Sequence, residues 1–371
     1  MSRQNSFTIG DVCSRFSSGK SISSSLIGTE GDYPVFGGNG IRGYTDTYNF
    51  DGECAIIGRQ GAYCGNVRYY SGKAYMTEHA IVACAKAEHN TGFLAYKLSL
   101  MNLSQYQGQS AQPGLSVNTL LKVQIDMPSL ECQTKIFEYL KLLDDKIENN
   151  NRINSELESM AKTIYDYWFL QFEFPNEEGE PYKSSGGKMV WNEALKREIP
   201  EGWKQGTLFD LIEIGNGKDH KELHDGKIPV YGSGGVMRFV DTAIYEGESV
   251  LIPRKGTLNN IIYVNDSFWT VDTMFYSKMK KAHSAIYTYY SVKMYDFEKL
   301  NTGTGVPSMT SSIIYNLKTV IPTRQILKDF DLAIQSFYKQ IQTNSIENME
   351  LTSLRNFLLP LLMNGQIKFE G

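Results

Sequence analysis

The chain has 371 residues, of which 41% are hydrophobic and 21% are charged, and its formal net charge at pH 7 is −4. This size is enough for two or three domains. The slightly acidic balance excludes a broad polycationic surface, so any nucleic-acid contact must use Lys and Arg side chains that are gathered locally. The 5 cysteines show no CxxC spacing, which favours neither a disulfide framework nor a zinc ribbon. Because no signal sequence or membrane-spanning run is apparent, we expect a cytoplasmic protein.

Residues 1–129 have the pattern of a strand-rich domain. Short runs of β-branched and aromatic residues at 33–36, 54–57, 67–70 and 80–84 are separated by segments rich in Gly, Ser and Asn. Runs of this length between such turns are typical of strands. We therefore predict a compact first domain that is built mainly from strands.

Residues 130–173 have the repeat of one long helix. The positions spaced by three and four keep a single register and are Ile136, Leu140, Leu143, Ile147, Asn150, Asn154, Leu157, Ala161, Ile164 and Trp168. A sustained heptad seam is typical of helices that pair with each other. An Asn buried in such a seam fixes the register, because its amide needs a polar partner. The simpler alternative is an amphipathic helix that packs as ordinary core.

The second half of the chain repeats this organisation. Residues 174–203 contain Pro, Gly and acidic residues without sustained periodicity, as a connector would. Residues 204–322 repeat the strand-rich texture, and residues 323–371 repeat the helix. Adding 194 to each seam position gives Phe330, Ile334, Phe337, Ile341, Asn344, Asn348, Leu351, Arg355, Leu358 and Leu362. Capping hydroxyls at Ser129 and Thr323 should begin the two helices, and the second should stop near Pro360.

The whole chain is thus an internal duplication of one unit, which consists of a domain followed by a long helix. YPVFGGNG from residue 33 matches IPVYGSGG from residue 228, and Arg59-x-Gly61 matches Arg254-x-Gly256. We predict an α+β fold in which two strand-rich domains are separated by two long, antiparallel, coiled-coil-like helices with pseudo-twofold symmetry. The residues expected to set the register of the helix pair are Asn150, Asn154, Asn344 and Asn348.

Several segments resemble one protein family. They are the segment NNNRINSELESMAKTIYDYWF that runs into FEFP, the connector YKSSGGKMVWNEALKREIPEGW, and the TGTGVPSMT turn at residues 302–310. With the alternation of domain and helix, they cover essentially the full length. Together they resemble the DNA-specificity (S) subunit of type I restriction-modification systems.

This resemblance implies a role in DNA recognition. The strand-rich parts would be two target-recognition domains, each reading one half of a bipartite DNA site. The helices would be a spacer and a dock for two methyltransferase subunits, which bind S-adenosylmethionine, while translocase-nuclease subunits are a further partner. The chain itself has neither a GxxxxGK[ST] loop nor an Asn-Pro-Pro-aromatic motif, so we expect it to bind no cofactor and to catalyse no reaction. Roughly 40 helical residues span at most about 60 Å, enough to reach successive major grooves about 34–36 Å apart.

Three other patterns have a functional and a plainer interpretation. Gly38-Asn39-Gly40-Ile41-Arg42-Gly43 satisfies GxGxxG, but a turn and a strand are predicted where a dinucleotide site needs a helix. His220 and His224 have the spacing of metal ligands on a helix, although no third ligand stands out. Glu78 and Asp272 occupy equivalent positions as lone carboxylates, for which a structural hydrogen bond is the plainer interpretation.

For DNA contact we expect polar, basic and aromatic side chains on glycine-rich turns. In the first domain the candidates are Arg59, Gln60, Tyr63, Asn66 and Arg68, with Lys20 and Arg42 as phosphate partners. In the second domain they are Arg254, Lys255, Thr257, Asn259 and Asn260, with Lys218 and Arg238 in support. The alternative for each is a solvated loop residue or a brace for the strand turn. Arg59 and Arg254 recur in both copies, which indicates a shared structural role, since different bases require different readers.

The end of the first helix carries an aromatic cluster, and its exposed parts would form an apolar surface. The side chains expected to dock a methyltransferase are Tyr165, Tyr167, Trp168 and Phe169, and burial against the chain's own domains is the alternative. Our hypothesis is a non-catalytic DNA-recognition subunit. The alternatives from other classes are a tandem-repeat module that binds protein or carbohydrate, and an independent nuclease, which would need clustered metal-binding carboxylates.

Overall fold

The computed structural model describes residues 5–108, 114–303 and 305–367; Thr304, in the turn at 302–310, lies outside them. The chain forms two compact units. Unit 1 combines Met1–Asn151 with Ser345–Gly371, and unit 2 is Arg152–Asn344. Among the described helices, none has both the length and the apolar character that a membrane crossing requires.

Unit 1 is built on a six-stranded mixed sheet. In chain order its elements are β1 (Asn5–Thr8), α1 (Ile9–Val12), β2 (Cys13–Ser18), β3 (Tyr33–Gly37), β4 (Gly40–Thr45), β5 (Phe50–Gly58), β6 (Val67–Met76), β7 (Ala80–Ala85), α2 (Thr91–Ser99), α3 (Val117–Leu120), β8 (Gln124–Met127) and the long helix α4 (Leu130–Tyr165). The sheet order is β2-β7-β5-β6-β3-β4, and β1 pairs with β8 separately. Only the β3–β6 pairing of this sheet is parallel. Each of the four predicted strand runs lies within β3, β5, β6 or β7, which confirms those predictions.

Unit 2 repeats this sheet. Its elements are the last part of α4, a π-helical turn (Asp166–Leu170), β9 (Met189–Asn192), β10 (Arg197–Pro200), β11 (Lys204–Thr207), β12 (Ile212–Asn216), β13 (Asp225–Gly232), β14 (Gly235–Val240), β15 (Tyr245–Pro253), β16 (Ile262–Thr270), β17 (Met274–Met279), α5 (Ala285–Lys293), α6 (Ser311–Tyr315), β18 (Lys318–Ile321) and the first part of the long helix α7 (Arg324–Met363), whose remainder belongs to unit 1. The sheet order is β12-β17-β15-β16-β13-β14, with β13 and β16 parallel. Strand for strand this is the order of unit 1, so the sequence repeat is a repeat of topology.

The alternation of side chains along β5 explains why each sheet is covered on both faces. Ala55 and Ile57 pack into a core that includes α2 and α4, whereas Cys54 and Ile56 pack into a second core on the opposite face. Neighbouring residues of a strand point to opposite faces, so a strand that is buried on both faces reads as a continuous apolar run. The run CAII in β5 has this pattern.

The long helices begin at the predicted caps. The Cys132 amide donates to Ser129 Oγ over 3.4 Å, and the Ile326 amide donates to Thr323 Oγ1 over 3.4 Å. The end of α7 lies at Met363, one turn later than the stop expected near Pro360. Proline removes one N–H donor but keeps its carbonyl, and Pro360 O accepts from the Asn364 amide over 3.1 Å.

The two long helices pack against each other in antiparallel directions. In unit 1, Asp144 of α4 bonds to Arg355 of α7, and Asn150 bonds to Asn348; in unit 2, Asn154 bonds to Asn344. The α7 partner moves back along the chain as the α4 residue advances. The predicted pair of matched, antiparallel helices is confirmed.

Candidate nucleic-acid interface

In unit 1, residues 58–66 form a closed turn between β5 and β6. Gly65 N donates to Gly58 O over 2.8 Å, and Asn66 N donates to Tyr63 O over 3.1 Å. Gly61 has φ +82° and Gly65 has φ +89°, a region that favours glycine because it has no Cβ. The turn therefore holds Tyr63, which is 48% exposed, and the exposed Asn66 at the surface.

Arg59 braces this turn from inside. Its amide donates to His79 O over 2.9 Å, and its carbonyl accepts from the Leu115 amide over 2.9 Å. Its guanidinium donates to Leu115 O over 3.4 Å and to Glu78 O over 3.5 Å. Arg59 O also accepts from Cys64 Sγ over 3.0 Å, and burial raises the pKa of that thiol.

Arg254 occupies the same backbone position in unit 2. Its amide donates to Thr273 O and its carbonyl accepts from the Met309 amide, each over 2.8 Å. The side chain differs, because the Arg254 guanidinium lies over the ring of Phe275, 5.8 Å from its centroid, and is exposed. The two arginines thus share a backbone role, but the Arg59 side chain is half-buried and the Arg254 side chain is exposed.

Gln60 faces a polar groove of about 400 Å³. Its Oε1 lies 3.0 Å from His79 Nδ1, and its backbone pairs with Gly114 in an isolated bridge. The groove is lined by Arg59, Gln60, Gly114, Leu115, Ser116, Val117 and Asn118. Sequence reasoning missed His79, Ser116 and Asn118, because their proximity to Gln60 is a product of the fold and no local motif marks them.

The other unit 1 candidates lie at different places. Arg68 of β6 is exposed and donates from Nη2 to Asn39 O, in the β3–β4 turn, over 3.1 Å. Arg42 of β4 is exposed and lies across Gly37, where an added Cβ would come within 2.5 Å of Arg42 Cδ. Lys20 is exposed and its amide donates to Met76 O over 2.9 Å.

The unit 2 candidates fall into two groups. The first group is exposed and consists of Lys218, Arg254, Lys255 and Thr257. The second group forms side-chain hydrogen bonds within the chain, although Asn259 in this group is also exposed. Asn259 Nδ2 donates to Asp296 Oδ1 over 3.2 Å while its Oδ1 accepts from the Phe297 amide over 2.8 Å. Asn260 Nδ2 donates to Ser233 O over 2.8 Å, and Arg238 Nη2 lies 2.7 Å from Asp225 Oδ1. For these three side chains the geometry matches the alternative given above, in which the residue braces a turn of its own domain instead of contacting DNA.

The register asparagines form one pair in each unit, Asn150 with Asn348 in unit 1 and Asn154 with Asn344 in unit 2. Asn150 Nδ2 donates to Asn348 Oδ1 over 2.9 Å and to Glu347 Oε2 over 2.7 Å. Asn344 Nδ2 donates to Asn154 Oδ1 over 2.8 Å, within unit 2. The hydrogen bond from Asn150, followed by the charge of Lys146, lowers the pKa of the Glu347 carboxyl.

The aromatic end of α4 is mostly internal. Tyr165, Trp168 and Phe169 are 4%, 9% and 3% exposed and belong to the core of unit 2. Tyr165 OH lies 3.1 Å from Ser291 Oγ, and burial raises the pKa of that phenol. Side chains in a core cannot offer apolar surface to a partner, so for these three the geometry matches the burial alternative. Tyr167 is 39% exposed.

The structure also locates the GxGxxG segment, His220 and Glu78, for which the sequence allowed other functions. The GxGxxG segment is the β3–β4 hairpin, where Gly37 pairs with Gly40 and a strand follows in place of the helix that a pyrophosphate site needs. His220 lies in a turn before β13 and not on a helix. Glu78 Oε1 lies 3.4 Å from His79 Nε2. Within the described residues, no three His, Cys, Asp or Glu side chains are grouped as a metal site would require.

The family model described as the type I restriction modification DNA specificity domain matches residues 1–159 and 200–353. The MjaIX specificity subunit of Methanocaldococcus jannaschii is 26% identical over 398 residues, which cover 92% of this chain and 88% of that protein. The EcoprrI specificity subunit of Escherichia coli is 41% identical over 141 residues, which cover 37% of this chain and 35% of that subunit.

A solved structure shares the fold. The S subunit of the type I restriction-modification system from M. genitalium superimposes with a TM-score of 0.66 at 19% identity, covering 97% of this chain and 96% of that one. The two sheets of equal order and the paired long helices are therefore an S-subunit arrangement. Since the family model matches both halves, the chain belongs to the DNA specificity subunits of type I restriction-modification systems, which are non-catalytic within their complexes.

Proposed function

We propose that this subunit reads a bipartite DNA target, with residues 1–129 and 204–322 as its two target-recognition domains. The spacer would be formed by residues 130–173 and 323–371, with residues 174–203 as the connector. The supporting observation is that two sheets of equal strand order carry different side chains at equivalent positions. Gln60 corresponds to Lys255, Arg68 to Ile262 and His79 to Thr273. Equal scaffolds with unequal side chains are what two different half-sites require.

The partners belong to the same proposal. Two methyltransferase subunits would dock on the chain and supply S-adenosylmethionine and the methyl transfer, and translocase-nuclease subunits would join them. The exposed Tyr167 is our candidate docking residue. The exposed Lys20, Arg42, Lys218 and Lys255 are the candidate phosphate contacts, because cationic side chains at the surface supply most of the affinity for DNA.

The experiment is methylome sequencing of cells that express the chain together with its methyltransferase. We expect one methylated motif with two specific parts separated by a fixed gap. Exchanging the 58–66 loop for residues 253–261 should alter one part of that motif and leave the other unchanged. An active complex that methylates without a two-part motif would contradict the proposal.

DNA binding by the purified complex gives an independent check. Contacts to phosphates release counterions, so the affinity should fall steeply between about 50 and 200 mM salt. A module that binds protein or carbohydrate through apolar loops would show no such fall. The matched control is a duplex of the same length in which both half-sites are scrambled.

A further inference from the structure

We propose that His79 is a positioning residue that fixes the orientation of the Gln60 amide, so that Gln60 reads an adenine in the half-site of the first domain. The inference rests on the proposed function and deepens it. It names one recognition side chain, the residue that orients it, and the base that the pair selects.

The first step is the contact itself. Gln60 Oε1 lies 3.0 Å from His79 Nδ1. In the tautomer that carries its proton on Nδ1, the imidazole N–H donates to the amide carbonyl. Both residues are held by the backbone: the Arg59 amide donates to His79 O over 2.9 Å, and Gln60 pairs with Gly114. The backbones that carry the two side chains are therefore both paired with neighbouring segments.

The second step is the chemistry of an amide. A glutamine side chain can turn by 180°, which exchanges its oxygen acceptor with its NH₂ donor at almost no change in shape. A base edge is read by the order of donors and acceptors, so a freely turning amide discriminates poorly. A donor that bonds to Oε1 prevents the exchange. In this structure that donor is His79 Nδ1.

The third step concerns the hydrogen-bonding atoms of Gln60 that can still contact a base when the amide is fixed. Oε1 has a second lone pair, and Nε2 keeps its donors. An acceptor beside a donor matches the N6 amino group and the N7 atom of adenine in the major groove. The groove of about 400 Å³ next to Gln60 carries the exposed polar side chains Ser116 and Asn118 on its wall.

Glu78 completes the arrangement. Its Oε1 lies 3.4 Å from His79 Nε2, and the adjacent backbone is tied to Arg59 through the bond from the guanidinium to Glu78 O over 3.5 Å. The Glu78 carboxylate thus lies on the Nε2 side of the ring, while Gln60 lies on the Nδ1 side. Neighbours on both sides restrict the ring to the orientation in which Nδ1 faces the amide.

Unit 2 keeps the backbone hydrogen bonds of this site but has different side chains at the positions of Gln60 and His79. The backbone bonds recur there, since the Arg254 amide donates to Thr273 O over 2.8 Å, and a carboxylate recurs as Asp272. The reading pair does not recur: Lys255 replaces Gln60 and Thr273 replaces His79. The residues at the positions of Gln60 and His79 both differ in unit 2, as expected if the two side chains function as a pair.

The test uses the full complex of the chain with its methyltransferase and a set of duplexes, each with one base pair of the target replaced. His79→Ala should lower the preference for adenine by about tenfold at one position of the first half-site, and leave every other position unchanged. Gln60→Ala should act at the same position. The double variant should lose no more than Gln60→Ala alone, because His79 acts only through Gln60.

A conservative substitution shows whether His79 positions Gln60 or only supports the fold. His79→Asn places an amide nitrogen near the position of Nδ1 and should retain most of the preference. Thr273→Ala, at the matching position of unit 2, should leave the first half-site unaffected. If His79→Ala proves unstable, His79→Asn and Gln60→Glu carry the test, since the second keeps the shape but removes the NH₂ donor and should lower the adenine preference.

Clear outcomes would overturn the inference. They are an unchanged adenine preference in His79→Ala, effects of the two single variants that multiply in the double variant, or a loss at a different position. Failure of the proposed function looks different, because the wild-type complex would then show no two-part motif at all.

Discussion

Asn150, which is only 1% exposed, donates from Nδ2 to Asn348 Oδ1 over 2.9 Å and so joins α4 to α7 by a polar bond inside an apolar seam. A second such bond runs from Asn344 to Asn154 over 2.8 Å. An amide in this position is satisfied only when the facing helix presents a polar group at the same level. These bonds are therefore specific to one register of the helix pair.

Replacing one of these amides should cost more than replacing both. Asn150→Leu removes the donor to Asn348 Oδ1 and one of the donors to Glu347, and we expect it to lower the free energy of unfolding by about 1–3 kcal/mol. The double variant Asn150→Leu, Asn348→Leu should recover much of that loss, because two apolar side chains can pack against each other. Urea unfolding of the four proteins in this cycle measures the difference. Losses that simply add would contradict the expectation.

Substitutions of two nearby aromatic residues should have different effects, one on folding and the other on docking of the methyltransferase. Phe169 is 3% exposed, and its ring lies 4.6 Å from Tyr287 and 4.8 Å from Phe330 between centroids. Phe169→Ala should therefore destabilise unit 2 by about 3–5 kcal/mol. Tyr167→Ala, at a residue that is 39% exposed, should change stability little and weaken co-purification with the methyltransferase. Thermal unfolding and a pull-down assay check the two effects. Unimpaired co-purification of Tyr167→Ala would remove this residue from the proposed dock.

Glu248 should make the stability of unit 2 depend on pH. Burial raises the pKa of its carboxyl from the ordinary value of 4.5, and Asp331 adds to the rise, while Tyr263 donates to Glu248 Oε1 over 2.8 Å. The folded state thus binds the proton more tightly than the unfolded state, so this contribution to stability is complete below pH 4.5 and is lost as pH rises through the folded pKa.

Glu248→Gln keeps the carbonyl acceptor for Tyr263 and removes the titration. We expect the variant to gain stability relative to the wild type as the pH is raised, with the smallest difference in acid. Urea unfolding at several pH values between about 4 and 8 measures this trend. Parallel pH profiles for the two proteins would show that Glu248 does not titrate as expected.

The length of the helix pair should set the gap between half-sites. One heptad added to α4 and a matching heptad added to α7 lengthen the pair by about 10 Å, which corresponds to about 3 base pairs of DNA. We expect the methylated motif to keep both half-sites and to gain a gap of that size. A heptad in α4 alone is the control, because it takes Asn150 and Asn154 out of register with α7. Altered half-sites in the double insertion would be inconsistent with a spacer role.

The prediction of the elements succeeded because their signals are local. The heptad positions around Leu140 and Ile334 recur every three or four residues, and hydroxyls at Ser129 and Thr323 stand where each helix begins. The predicted strand at 54–57 is an apolar run between turns, and it lies within β5. The nearly constant offset between the two halves, 195 at Arg59 and Arg254 and 194 at the helix seams, indicates a duplicated topology.

The roles of individual side chains were decided by the tertiary structure. Asn259 is predicted as a surface amide that contacts DNA; it is exposed, but its side chain bonds to Asp296, 37 residues away. Gln60 likewise meets His79, 19 residues away, and Trp168 and Phe169 enter the core of unit 2. The sequence by itself determined the periodicities, the repeat and the family resemblance, since each is written in neighbouring residues. Only the fold decided which polar groups are satisfied and which apolar groups are buried, because those depend on contacts between residues far apart in the chain.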